Sequence, residues 1–233
     1  MSKQSIFDMA YRGQTSDIKR LLGDNSKLVT SKDDNERMLI HWAALGGHGD
    51  IVRFLLSLDS PVDPTDDMDM TPLILAASAG REKVVEILLA EGADPNAKTR
   101  DEHSALQYAA SKNWKSICAA LLKKDAYINI SDKLGATPLH RAASKGNIAI
   151  VNFLLEFGDL LDIDRVDADG NSALHLACQE NRREEAKRLV ESGANISLKN
   201  KEKKAPLDLA STILANQLKE IYSHLETLEK TKT

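Results

Sequence analysis

Apolar residues recur along this chain in two alternating kinds of block. Blocks rich in small residues begin at 41 (HWAALGGH), 74 (ILAASAGR), 107 (QYAASKNW), 140 (HRAASKGN) and 175 (HLACQENR). The spacing is therefore 33, 33, 33 and 35 residues. A longer apolar block follows each: IVRFLL, VVEILL, ICAALL, IVNFLL and the more polar EAKRLV. The small blocks predict thin inner helices whose alanine pairs let neighbours approach closely. The second blocks predict outer helices with one apolar face. Thr71 and Thr137 stand before Pro72 and Pro138. A hydroxyl cap followed by a residue that gives up no needed N–H is a helix start. Ser104 and Ser172 are the equivalent caps. Gly92, Gly158 and Gly193 supply the left-handed conformation that ends the outer helices, and Asp59 and Asp125 replace that glycine in two units.

A period near 33 residues with one helix pair per unit is the mark of a stacked-repeat architecture. With the TPLH string at 137–140, it resembles the ankyrin repeat. The expected fold is an all-α solenoid of about seven helix-turn-helix repeats with short turn fingers. The repeats fall at about 1–32, 33–65, 66–98, 99–131, 132–166, 167–199 and 200–233. A single unit cannot bury its apolar face alone, so residues 1–233 are expected to form one domain. The resemblance implies that His41, His140 and His175 are structural and link the turns to neighbouring backbone.

Composition fits this picture. The 233 residues are 42% hydrophobic but only 4% aromatic, which suits a core of aliphatic side chains between close helices. A net charge of −4 argues against nucleic-acid binding, and no apolar run approaches a membrane span. Cys118 and Cys178 form no disulfide framework, and the opening MSKQSIFDMA lacks a secretory signal, so a reducing interior is expected. No nucleotide-binding, zinc-protease or serine-hydrolase motif is present. The expectation is a monomeric binding module without catalytic residues, metal or cofactor.

Candidate binding residues follow from the repeat geometry. Residues just before the inner-helix cap include Arg37, Met70, Ala136 and Lys204. Exposed inner positions include Lys112, Lys145 and Glu180. One turn earlier lie Trp42, Leu75, Tyr108, Arg141 and Leu176. Trp, Tyr and Arg are enriched at interface hot spots, although Trp42 and Tyr108 alternatively fill the seam between repeats. The early turn tips carry Asp33, Asp34, Glu36, Asp66, Asp67 and Asp69, and the last carries Lys199, Lys201, Lys203 and Lys204. Such a gradient orients a partner of opposite pattern; the alternative is ordinary solvated charge. LACQE at 176–180 fits LxCxE, the motif that binds retinoblastoma-type pocket proteins through Leu176, Cys178 and Glu180, but it falls inside an inner helix.

Five stretches go beyond the repeat consensus: ERMLIHWAALGGHGDIVRFLL, LQYAASKN, HRAASKGN, HLACQENRREEAKRLVESGA and NKEKKAPLDLA. They resemble the gankyrin family of non-ATPase proteasome subunits and assembly chaperones, over about residues 5–210. The resemblance implies a protein of cytoplasm and nucleus that holds the C-terminal domain of one ATPase subunit of the regulatory-particle base. Its basic contact residues match Arg37 and Lys112, both expected to be exposed. It also brings in retinoblastoma protein or a cyclin-dependent kinase as further partners; the alternative function is a regulator of such a kinase, a pocket protein or a transcription factor. Met38 and Leu39 replace the usual Thr-Pro, so that helix is expected to lack its cap. In the tail, Leu214, Leu218, Ile221, Leu225 and Leu228 alternate four and three apart. That row either caps the last repeat or pairs with a second partner.

Overall fold

A computed structural model describes residues 5–230. Fourteen α-helices form seven consecutive pairs, and no strand longer than an isolated bridge occurs among the described residues. The pairs are α1 (Ile6–Arg12) with α2 (Thr15–Asp24), α3 (Leu39–Gly46) with α4 (Gly49–Leu56), and α5 (Pro72–Ser78) with α6 (Glu82–Ala90). Then come α7 (Ala105–Ser111) with α8 (Lys115–Lys123), α9 (Pro138–Lys145) with α10 (Ile148–Leu155), α11 (Ala173–Gln179) with α12 (Arg183–Glu191), and α13 (Pro206–Leu209) with α14 (Thr212–Lys230). The residues divide into two compact units. The first runs to Ala109 and adds Ser116–Tyr127; the second holds Ala110–Lys115 and everything from Ile128.

In the first unit the inner helices α1, α3 and α5 pack in series, and the outer helices α2, α4 and α6 do the same. In the second, α9, α11 and α13 are the inner series, with α10, α12 and α14 outside. The alanine pairs explain the close inner packing. Ala43, Ala44, Ala76, Ala77, Ala142 and Ala143 are all fully buried, as are Ala177 and Cys178 at the equivalent place. On α6 the buried row is Val84, Val85, Ile87, Leu88 and Leu89, an apolar stripe at helical spacing.

Local signals behave as the residues dictate. Thr71 Oγ1 accepts the Ile74 N–H at 3.2 Å, and Ser172 Oγ accepts that of His175 at 3.5 Å. Gly92, Gly158 and Gly193 have φ of 87°, 54° and 90°, and Asp59 and Asp125 adopt 59° and 61°. Met38 makes no side-chain cap, as expected; its own N–H is instead accepted by the His41 ring at 3.0 Å. Two glycines in the second unit are required by close approach. A Cβ on Gly135 would lie 3.2 Å from the Ala168 nitrogen, and one on Gly170 3.0 Å from the Lys201 nitrogen. Successive fingers touch there, joined by Ala168 N–H to Leu134 O and Lys201 N–H to Asp169 O.

The tail forms the 19-residue α14. Leu214 and Leu218 are fully buried, Ile221 and Leu225 are half-buried, and Leu228 is exposed. The first two members of the row therefore cap the last repeat. Leu218→Ala is expected to cost about 2 kcal/mol, the low end for a buried leucine at the edge of a core. Leu228→Ala is expected to fall within about 0.5 kcal/mol of zero. Urea denaturation of both variants checks the contrast.

Candidate partner-binding surface

Each finger is built on one polar residue at its base: Asp33, Asp66, Thr99, Asp132, Asp167 and Asn200, spaced 33, 33, 33, 35 and 33 residues apart. In the four aspartates one side-chain oxygen accepts the backbone N–H groups two and four residues on, whereas Thr99 and Asn200 each accept the one four residues on. Asp66 Oδ1 takes those of Met68 and Met70 at 2.9 and 2.8 Å. Asp167 Oδ1 takes those of Asp169 and Asn171, both at 2.9 Å. This local turn chemistry sets the finger and leaves the second oxygen for something else.

In the first unit the second oxygens of Asp66 and Asp33 hold two of the predicted binding residues. Arg37 Nε donates to Asp66 Oδ2 at 2.9 Å, with the Asp66 side chain fully buried and that of Arg37 only 19% exposed. The Arg37 guanidinium also lies 5.1 Å from the centroid of the Trp42 ring. The Trp42 indole N–H in turn donates to Asp33 Oδ2 at 2.8 Å. Met70 is half-buried beside this cluster, held by its N–H on Asp66. Arg37 is thus not the freely exposed residue the sequence leads one to expect, and Asp66 is a buried structural carboxylate rather than a solvated turn charge. Trp42 fills a seam as well as presenting a face, since Tyr11 of α1 meets it edge-on at 6.0 Å. Tyr108 lies against the His103 ring at 5.6 Å. Leu75, expected on the adjoining face, is buried.

In the second unit Arg141 of α9 is ion-paired to Asp132, the base of its own finger. Asp132 is 5% exposed, so this pair repeats the logic of Arg37 and Asp66. Lys112, Lys145 and Glu180 are exposed, as expected. Lys204 is exposed and pairs with Glu202 at 2.8 Å. Ala136 is buried, so it offers no contact.

The histidines are structural. The ring nitrogen Nδ1 accepts the N–H of Met38 in His41, of Thr137 in His140 and of Ser172 in His175. That leaves the proton on Nε2, which donates to carbonyls of the following finger. His41 reaches Pro64 at 3.0 Å, His140 reaches Asn171 at 2.9 Å, and His175 reaches Lys204 at 3.2 Å. Burial lowers all three pKa values below the ordinary one. Gln107 takes the same role in the fourth repeat, accepting the Ser104 N–H at 2.9 Å.

Among the described residues, no three His, Cys, Asp or Glu side chains converge on a metal-sized site, and no helix is long and apolar enough to cross a membrane. Burial pushes both thiols, Cys118 and Cys178, up to about 12, far from a reactive range. LACQE spans the end of α11 and its C-cap Glu180, with Cys178 buried, Leu176 half-buried and Glu180 exposed. Engagement as an extended ligand would require unwinding that helix. Cys178→Ser is expected to cost about 1–3 kcal/mol by burying a hydroxyl; an unchanged melting temperature would show that the position reaches solvent.

The ladder of finger carboxylates is the feature that reading the sequence misses. Its signal was present, because Asp33, Asp66, Asp132 and Asp167 keep the repeat period. A second ladder joins the outer turns. Asp63 Oδ2 accepts the Asp94 N–H at 2.8 Å, Asn96 Oδ1 that of Tyr127 at 2.8 Å, and Asp164 Oδ1 that of Asn195 at 2.9 Å.

Comparisons with known proteins agree with this architecture. The family described as ankyrin repeats (3 copies) matches residues 6–99 and 89–164, and that described as ankyrin repeats (many copies) matches 154–210. The human ASB11 ankyrin repeat domain is similar at 25% identity, covering 94% of this chain and 98% of its own, with a TM-score of 0.84. The ankyrin repeat domain of Bcl-3, described as a unique member of the IkappaB protein family, is 23% identical with a TM-score of 0.82. That match covers 94% of this chain and 99% of the other. Among curated proteins, none matches this sequence. Domains of this kind are typically non-catalytic protein-binding modules.

Proposed function

The chain belongs to the ankyrin-repeat family, and on that premise we propose that it is an assembly chaperone of the proteasome regulatory particle. In this reading it acts in cytoplasm and nucleus as a monomer. Its inner-helix and finger surface holds the C-terminal domain of one base ATPase subunit. The observation that carries the reading is Arg37, one of the two basic positions matching the gankyrin family's contacts. Its Nε is fixed on buried Asp66 and its plane is steadied by Trp42. A guanidinium held in this way loses little freedom when it meets a partner carboxylate. Lys112, the second position, is exposed on the segment that follows α7's buried alanines.

Charge supports the same partner. Exposed Asp34, Glu36, Asp67 and Asp69 mark the fingers of the first unit, and exposed Lys199, Lys201, Lys203 and Lys204 mark the last finger of the second. Complementary charge governs on-rate and orientation more than affinity. The test is calorimetric titration with the isolated C-terminal domain of each proteasomal ATPase, at low and high salt. Binding to one of them, weakened by salt and by Lys112→Glu, is the expected result. Failure to bind any of them would sink the chaperone reading and leave an ankyrin scaffold for another protein.

A further inference from the structure

A groove of about 510 Å³ opens where α1 meets α3 and the finger that begins at residue 32. Its walls carry the rings of Phe7, Tyr11 and Trp42 and the carboxylates of Asp8, Asp33 and Asp34. Its size lies in the range of about 300–1,000 Å³ that encloses small ligands or a long side chain with its flanking backbone. Among the described residues Lys32 is the only lysine or arginine in the lining, and its ammonium is paired with Glu36 at 2.6 Å. Three aspartates thus line a groove whose one cationic lining residue among those described is already offset.

The carboxylates are not equivalent. Asp33 is fully used within the chain: Oδ1 takes the Asn35 and Arg37 N–H groups, and Oδ2 takes the Trp42 indole. Asp8 pairs with Arg12 across one turn of α1, on a partner that is 64% exposed. Asp34 is exposed, and no bond to its carboxylate is found among the described residues. Tyr11 is 44% exposed, although its ring stands edge-on to Trp42. A large aromatic surface and an unspent carboxylate therefore share one concavity.

The chain itself shows what this combination holds. A few ångströms away, the Arg37 guanidinium rests near the Trp42 ring while its Nε binds a carboxylate. Ring plus carboxylate suits a planar, weakly hydrated guanidinium better than an ammonium, because the fork bonds in its plane and stacks with its face. We infer that this groove receives an arginine side chain from an extended segment of a protein partner, with Asp34 and Asp8 taking the guanidinium and Phe7, Tyr11 and Trp42 flanking its stem. This goes beyond the proteasomal reading and needs only that the partner be a protein.

The test exploits the two tryptophans, Trp42 in the groove and Trp114 outside its lining. Nitrogen-15-labelled full-length protein is titrated with the capped peptide Gly-Gly-Arg-Gly-Gly and with its citrulline counterpart, at low salt. The expected result is a saturable shift of the Trp42 indole N–H signal, with that of Trp114 stationary and the citrulline peptide without effect. The double substitution Asp8→Asn and Asp34→Asn, checked for an unchanged Trp114 signal and melt, should weaken binding about tenfold, as two exposed pairs allow. Equal shifts with citrulline, joint movement of both indoles, or undiminished binding by the double variant would overturn the proposal. Removal of Met1–Gln4 should leave the affinity unchanged. A tightening of about tenfold, the size of one such pair of contacts, would assign the groove to the chain's own N-terminal segment instead. Titration with ATPase domains reads the chaperone function separately, so the two ideas fail independently.

Discussion

Arg37→Glu is expected to destabilise the protein by about 3–5 kcal/mol, the cost of breaking a buried pair from one side. Asp66 would keep its bonds to the Met68 and Met70 N–H groups. Its second oxygen would face a new carboxylate in place of a guanidinium, on a side chain fully shielded from water. The Trp42 ring would also lose the cation near its face. The contrasting variant is Lys112→Glu, at an exposed position, which is expected to move the stability by no more than about 0.5 kcal/mol. Urea melts of the two variants decide the matter. Equal, small effects would mean that the Arg37–Asp66 contact is not formed in solution. Any loss of partner binding by Arg37→Glu therefore has to be read beside its fold, whereas Lys112→Glu reports on binding alone.

Acidification should destabilise the stack before the carboxylates titrate. His41, His140 and His175 have pKa values lowered by burial, partly offset by their bonds to carbonyls and by nearby aspartates. Above about pH 6.5, the ordinary histidine value, folded and unfolded chains are both neutral at these sites, and the term vanishes. Below it the unfolded chain takes up protons that the folded chain refuses, so stability falls with pH until the folded values are reached. Each histidine contributes a slope of at most about 1.4 kcal/mol per pH unit in that window. His140 and His175 both lie in the second unit, whose stability should therefore fall as pH drops from 6.5 toward their folded values, with a limiting slope of about 3 kcal/mol per unit. His140→Gln is expected to roughly halve that slope while keeping the fold, because Gln107 already provides the same acceptor to Ser104. Denaturation curves between pH 7 and 5 give the slope directly. An unchanged slope in the variant would show that His140 does not couple protonation to folding.

The helix pairs could be read from sequence because their causes are local and periodic. A threonine before Pro72, a glycine at 92 and an alanine pair at 76–77 act within a few residues, and repetition multiplied each signal. Even the substitutions were legible, with Asp59 and Asp125 adopting the left-handed geometry in place of glycine. The histidine role came from the same periodicity and from the family resemblance. What escaped was the use made of the finger carboxylates. Arg37 meets Asp66 across 29 residues, and Trp42 reaches back nine to Asp33. No window along the chain shows that a turn aspartate will be covered by a neighbour's guanidinium. The residues expected at the surface for their charge are in part the ones that lock the fingers. The α1 groove was hidden for the same reason, since Tyr11 and Asp34 come together only when α1 packs on α3.

Hydrogen–deuterium exchange on the complex with the ATPase C-terminal domain tests the central claim most directly. The account predicts new protection in the fingers and inner helices, at segments 33–42, 68–75, 108–112, 141–145 and 200–204, with the outer helices α4, α6, α10 and α12 unchanged. Protection confined to the outer helices, or none anywhere on a chain that remains folded, would contradict it.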